Sequence, residues 1–238
     1  MTWALLPLKD LVRAKTRLAG LLAPSERRAL AQAMVEDVLG ALTACSQLEG
    51  VLLVTDDPAG PLLAAQYGVQ LLEESELGCH GLNPIISAGC DHLVGLGAES
   101  IMVVHSDLPL LGAEDLDLLL ARFREPGVDI VLSPDRACGG TNVMLFAASA
   151  RPVFCYGPDS CEAHSRSALD LGLRLQLEPL ENVSLDVDEP ADLLALCALM
   201  EKRHESSHTA QLLGRSPIRS RVALIVDSAP HSERGIGT

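Results

Sequence analysis

Three groups of residues in this chain carry complementary chemistry. A basic loop, Pro7-Leu8-Lys9 through Ala14-Lys15-Thr16-Arg17-Leu18, holds two of the only three lysines in 238 residues. Point cations and a guanidinium in such a loop suit phosphate oxygens, so Lys9, Lys15 and Arg17 are candidate groups for charge neutralisation. The loop lacks the glycines of a Walker loop or a dinucleotide fingerprint, so side chains would have to replace a backbone cradle. Asp107, in His105-Ser106-Asp107-Leu108-Pro109, follows an apolar run, and Asp186 and Asp188 alternate in Leu185-Asp186-Val187-Asp188-Glu189-Pro190. Carboxylates of this kind are hard oxygen ligands that suit Mg²⁺ carrying a polyphosphate. Alternate strand residues share a face, and two carboxylates side by side are costly unless a cation neutralises them. The competing accounts are a solvated basic loop, a helix-capping aspartate at 107, and a strand-to-helix turn rich in caps at 186–192.

Two further stretches could hold an anion. Gly139-Gly140-Thr141-Asn142 combines close backbone approach with the Thr141 hydroxyl, although a hairpin turn would use the same residues. Gly157-Pro158-Asp159-Ser160 precedes a helix, where free N–H groups and the helix dipole favour negative charge; Ser160 as a plain cap is the alternative.

The elements that must position these residues follow from pattern. Thr2–Leu8 reads as a first strand, and Ser25 as the cap of a helix to about Ala44 with Leu30, Met34, Val38, Leu42 and Cys45 on one face. Val51–Thr55 and Val69–Leu72 read as strands around a short helix ending near Tyr67. Asn83-Pro84 opens a helix to about Leu96, with Asn83 as its cap. Ile101–Val104 is apolar enough to be buried on both faces of a sheet, and Leu116, Leu119, Leu120 and Phe123 mark the next helix. Val128–Leu132 is a strand, and Asn142–Ala147 another, antiparallel because no helix intervenes. Leu173–Leu177 and Val183–Val187 are the last expected strands, with helices at 161–171 and 190–203. Alternating strands and helices give an α/β class: a mostly parallel sheet with helices on both faces. In such folds ligands sit at the carboxyl ends of strands, which is where Asp107 falls. The expected division is a domain over 1–203 and an appendage over 204–238, disordered or loosely docked.

Composition narrows the partners. The formal net charge is −14, which repels nucleic acid and anionic membrane. Residues 1–28 are an exception, with six cations against two carboxylates. No apolar run is long enough to span a bilayer, and the first apolar run is too short for a signal peptide, so a cytoplasmic protein is expected. Seven cysteines without a C-x-x-C pair argue against a disulfide framework and a zinc site.

Taken in order, P-x-K…A-K-x-R-L in the first loop, Leu82-Asn83, D-L-P-L-L at 107–111, G-G-T-N at 139–142, F-x-x-G-P-x-S at 154–160 with His164, and D-V-D-x-P at 186–190 resemble the 2-phospho-L-lactate guanylyltransferase family of coenzyme F-420 biosynthesis. The resemblance covers about residues 3–200. It implies a nucleotide-diphospho-sugar transferase fold, with GMP from GTP joined to 2-phospho-L-lactate, phosphoenolpyruvate or 3-phospho-D-glycerate and pyrophosphate released. It implies further that Leu8, Lys9, Lys15 and Asn83 meet the nucleotide, that Thr141, Gly157 and Ser160 hold the acceptor, and that Asp107 with Asp186 and Asp188 holds Mg²⁺. Asp159 and Cys161 stand where a glycine and an aromatic residue are expected. The partners implied are GTP and a small phosphorylated acid, with a homodimer left open. The alternatives are a sugar-phosphate or molybdopterin nucleotidyltransferase, whose first loop is usually glycine-rich, and a nucleotide-binding regulatory module without turnover.

Overall fold

A computed structural model describes residues 1–203, 206–215, 217, 218, 220 and 221. The chain runs β1 (Thr2–Pro7), α1 (Pro24–Ala44), β2 (Gly50–Val54), α2 (Gly60–Tyr67), β3 (Gln70–Leu72), α3 (Leu82–Gly95), β4 (Ser100–Val104), α4 (Ala113–Phe123), β5 (Ile130–Pro134), β6 (Thr141–Ala147), α5 (Ser160–Asp170), β7 (Leu175–Leu177), α6 (Pro190–Arg203) and α7 (His208–Arg215). Seven strands form one sheet in the order β3-β2-β1-β4-β6-β5-β7. β1 pairs in parallel with β2 and β4, β2 with β3, and β5 with β7, whereas β6 runs antiparallel to both of its neighbours. The α/β expectation and the antiparallel reading of 142–147 therefore hold.

Strand alternation divides the interior into two layers. Ala4, Leu6, Met102 and Val104 face α1, α2 and α4, while Trp3, Leu5, Ile101 and Val103 face α3 and α5. Helices thus cover both faces of the sheet, and β1 and β4 are buried on both sides, which explains their unbroken apolar sequence. A third apolar cluster joins α1, α6 and α7 through Leu30, Met34, Leu193, Leu196 and Leu213, together with Leu185 and Val187.

Several local expectations are corrected. Ser25 does not cap α1: the helix starts one residue earlier at Pro24, and the Glu26 carboxylate accepts the Ala23 N–H at 2.8 Å. Asn83 lies inside α3 rather than at its cap, which is Gly81. Residues 183–187 form no hydrogen-bonded strand, and Leu185 and Val187 pack instead into the apolar cluster of α1 and α6. The described part of the expected appendage, 206–221, packs on α1. There the Asp37 carboxylate accepts the N–H groups of His208 and Thr209, and Leu213 and Ile218 are buried. The apolar run Val222–Val226 lies outside the described residues. No helix among the described residues is long and apolar enough to cross a membrane.

Candidate active site

The carboxyl ends of β1, β4 and β5 and the amino end of β6 open onto one cleft of about 1090 Å³. Lys9, Lys15, Arg17, Asp107, Thr141, Gly157, Ser160, Asp186 and Asp188 all line it, although they span nearly the whole chain. Leu8 contributes only main chain: its side chain is buried in the core, and its N–H donates to Val54 O at 2.9 Å.

Lys15 ties the acidic turns together. Its Nζ donates to Asp107 Oδ2 at 2.6 Å and to Asp188 Oδ1 at 2.9 Å. Two carboxylates distant in sequence therefore face one point in one cleft. Burial alone would lower the Lys15 pKa, but Asp107 and Asp188 hold the ammonium well above its usual range. Burial would likewise raise Asp107, yet the Lys15 charge keeps it below the usual carboxylate range. Asp186 receives no such cation. Burial first, and then the Asp107 charge, push it up to about 6, while the Asn142 amide, 3.3 Å away, partly offsets this.

The segment that carries Asp186 and Asp188 keeps a strand's alternation without a strand's hydrogen bonds. Leu185 and Val187 are buried in the α1–α6 cluster, which leaves the two aspartates on the opposite, cleft-lining side. Asp192 shapes the turn, accepting the N–H groups of Asp188 at 3.1 Å and Glu189 at 2.8 Å. Arg17 reaches Glu189 at 3.4 Å and is exposed, so it is free to swing toward a ligand.

A divalent cation fits this donor set. Asp107 Oδ1 is buried without a hydrogen-bond partner, a costly state that a metal ligand would relieve. Among the described residues no three His, Cys, Asp or Glu side chains gather closely enough to hold a metal by themselves. Mg²⁺ is often held by one or two carboxylates and completed by phosphate oxygens, which is what such a site would require.

The far wall is formed by two glycine-bearing turns and the first residue of α5. Gly139 and Gly140 donate their N–H groups to Asp135 at 2.9 and 2.7 Å. A Cβ at position 140 would come within 2.7 Å of Asp135 Oδ2, so a larger residue there would have to push that carboxylate aside. Gly157 has φ of 149° and Asp159 φ of 55°. The latter is a left-handed conformation, in which glycine is unstrained and aspartate is tolerated. Ser160 begins α5 and is buried, at the helix end that attracts negative charge.

The Asn83 amide is engaged by Tyr156, donating to its carbonyl at 3.1 Å and accepting its N–H at 2.7 Å. It therefore clasps the Phe154–Gly157 segment to α3, and the neighbouring Leu82 lines the cleft instead. Asp57 escaped notice in the sequence. It is buried and accepts the Leu11 N–H at 2.7 Å, pinning the basic loop to the end of β2. The only hint was its place in Thr55-Asp56-Asp57-Pro58 after a strand. His105 is packed against Tyr156 at 5.2 Å, and burial lowers its pKa; its Nε2 is buried without a partner.

Comparison with known proteins gives the family and the fold. The family model for guanylyl transferases, CofC like, matches residues 2–214. A phosphoenolpyruvate guanylyltransferase from Conexibacter woesei is 38% identical over 215 residues, covering 90% of this chain and 96% of that protein. One from Sphaerobacter thermophilus is 37% identical, covering 81% and 90%. Among solved structures, a protein from Desulfovibrio desulfuricans G20 provisionally assigned as a nucleotide-diphospho-sugar transferase superposes with a TM-score of 0.75 at 16% identity, covering 94% of this chain and 97% of that one. A nucleotidyl transferase from Methanothermobacter gives a TM-score of 0.60 at 15% identity, covering 85% and 99%. These likenesses establish the fold.

Proposed function

The chain belongs to the CofC-like guanylyl transferase family, and we propose that it transfers GMP from GTP to phosphoenolpyruvate, releasing pyrophosphate. The observation that carries this reading is the convergence of Asp107 and Asp188 on Lys15, in a cleft that Thr141 and Ser160 also line. Phosphoenolpyruvate is the acceptor named for the relatives from Conexibacter woesei and Sphaerobacter thermophilus. 2-Phospho-L-lactate and 3-phospho-D-glycerate share its phosphate and carboxylate and are the alternatives to test. Any of the three would place the product in coenzyme F-420 biosynthesis.

The reaction needs little covalent help from the protein. A phosphate oxygen of the acceptor is already anionic. It attacks the α-phosphorus of GTP, and the bond from that phosphorus to the oxygen bridging to the β-phosphate breaks. Pyrophosphate leaves with that oxygen and the electron pair. The product joins GMP to the acid through a phosphoanhydride. Two anions must approach, so alignment and charge neutralisation supply the rate.

Lys9, Lys15 and Arg17 are assigned to the triphosphate, whose negative charge would draw Lys15 away from one or both aspartates. Asp107 with Asp188 or Asp186 would hold Mg²⁺, completed by phosphate oxygens, and the ion would supply charge neutralisation for the reacting phosphates. Thr141, the Gly157 main chain and Ser160 are assigned to the acceptor. Asp57 keeps the loop that bears the cations against the sheet.

The experiment is direct: incubate the protein with GTP, Mg²⁺ and each of the three acids, then identify the product by mass. A guanylylated phosphoenolpyruvate supports the proposal. Product only with another of the acids moves the acceptor assignment, and no product with any acid overturns the proposal.

A further inference from the structure

A chain of hydrogen bonds runs from the main chain behind the cleft to the hydroxyl assigned to the acceptor. The Cys155 N–H donates to His164 Nε2 at 2.8 Å, and His164 Nδ1 lies 3.0 Å from Thr141 Oγ1. Thr141 and His164 are each about 1% exposed, so the contact between them is shielded from bulk water. A backbone N–H can only donate, so Nε2 must be the bare ring nitrogen. In a neutral imidazole the proton then sits on Nδ1, and Nδ1–H donates to Thr141 Oγ1. The cation is disfavoured here, because a proton on Nε2 would face the Cys155 N–H. Burial first, and then the nearby His105, lower the His164 pKa to about 4, in agreement with that geometry. The Tyr156 ring meets His164 edge-on at 4.7 Å and restrains the imidazole plane.

The consequence falls on Thr141. Its oxygen already accepts from His164, so its own hydrogen must point elsewhere. No other hydrogen bond is made by Oγ1 among the described residues, and Thr141 lines the cleft. We propose that His164 is a positioning residue that presets the Thr141 hydroxyl as a donor into the cleft, so that the site selects an acceptor bearing an anionic oxygen at that point. Without the imidazole, the hydroxyl could turn inward or accept from a ligand, and this preference would be lost. The inference rests on the proposed assignment of Thr141 to the phosphorylated acid.

Two substitutions separate the halves of the relay. In His164→Asn the amide nitrogen takes the place of Nδ1 and keeps the donor to Thr141, while the partner of Cys155 is lost. In His164→Gln the amide oxygen takes the place of Nε2 and keeps the partner of Cys155, while the donor to Thr141 is lost. Steady-state kinetics with GTP and phosphoenolpyruvate should show KM for the acid raised about 10-fold or more in His164→Gln, the scale of one hydrogen bond to a charged group. KM for GTP should stay near the wild-type value, and His164→Asn should lie closer to wild type than His164→Gln. An unchanged acid KM in His164→Gln, an equal rise in KM for GTP, or a more severe effect in His164→Asn would each overturn the proposal. Nitrogen-15 NMR of the histidine rings in the full chain supplies a readout that does not need turnover. His164 should appear neutral and protonated on Nδ1, and a ring protonated on Nε2 would refute the relay. A wild-type protein inactive with all three acids would instead refute the assigned reaction, while the NMR result would still decide the relay.

Discussion

Lys15→Met removes an ammonium and keeps most of the side-chain volume, which isolates the charge that joins the two acidic turns. The Lys15 side chain is 7% exposed and Asp107 21%, while Asp188 is 47% exposed. The Asp107 pair is therefore the expensive one to break. Leaving a buried carboxylate without its partner costs about 3–5 kcal/mol, whereas the half-exposed Asp188 contact adds at most about 1 kcal/mol. Whole-domain stability is on the order of 5–15 kcal/mol, so the variant should be much less stable yet still foldable. In urea the unfolding midpoint should fall by about 1–2 M at neutral pH. The deficit should also depend on pH. Without the ammonium, burial raises the Asp107 pKa above its unfolded value, so the variant is least handicapped in acid and loses stability as pH rises through the new folded value. Mg²⁺ should restore stability to the variant more than to the wild type, because a cation can take the vacated place between the carboxylates. A variant that unfolds at the wild-type urea concentration, with neither pH nor Mg²⁺ dependence, would refute the reasoning.

Two further outcomes follow from neighbouring residues. Asp57→Ala removes the acceptor of the Leu11 and Ala59 N–H groups. It should raise KM for GTP severalfold while leaving KM for the acid near wild type in steady-state assays, because the released loop carries the cations assigned to the triphosphate. His164 has a folded pKa of about 4, below the usual histidine value of 6.5. Its contribution is therefore fully present above about pH 6.5 and is lost as pH falls toward 4, by about 3 kcal/mol at most. Chemical denaturation across that range should show a steeper acid loss in the wild type than in His164→Asn.

Much of this architecture was legible in the sequence because its signals are local. Ile101–Val104 is apolar without interruption and sits in the sheet's interior, and 142–147 follows a strand without a helix and runs antiparallel. The candidate residues were legible for the same reason: most stand just beyond a strand or just before a helix, where an α/β fold places ligands. What escaped depends on tertiary contact. Asn83 looks like a cap because of Pro84, but its partner is Tyr156, 73 residues away. Leu185–Asp188 has a strand's alternation because one side is buried by α1 and α6, and no ladder forms. His164 could be noticed only as part of a motif, since its role depends on Cys155 and Thr141 meeting it from opposite sides. Residues 206–215 look polar, and their packing on α1 uses Leu213 and the carboxylate of Asp37.

Asp107 is assigned to the chemistry as well as to its pair with Lys15. Pyrophosphate release from GTP and phosphoenolpyruvate, measured with Mg²⁺ on folded wild type and Asp107→Asn, tests that assignment most directly. Asparagine keeps the volume and removes the charge, so the variant should be about 10²- to 10³-fold slower, the scale of one electrostatic element in a transition state. Release from Asp107→Asn at close to the wild-type rate would contradict the account.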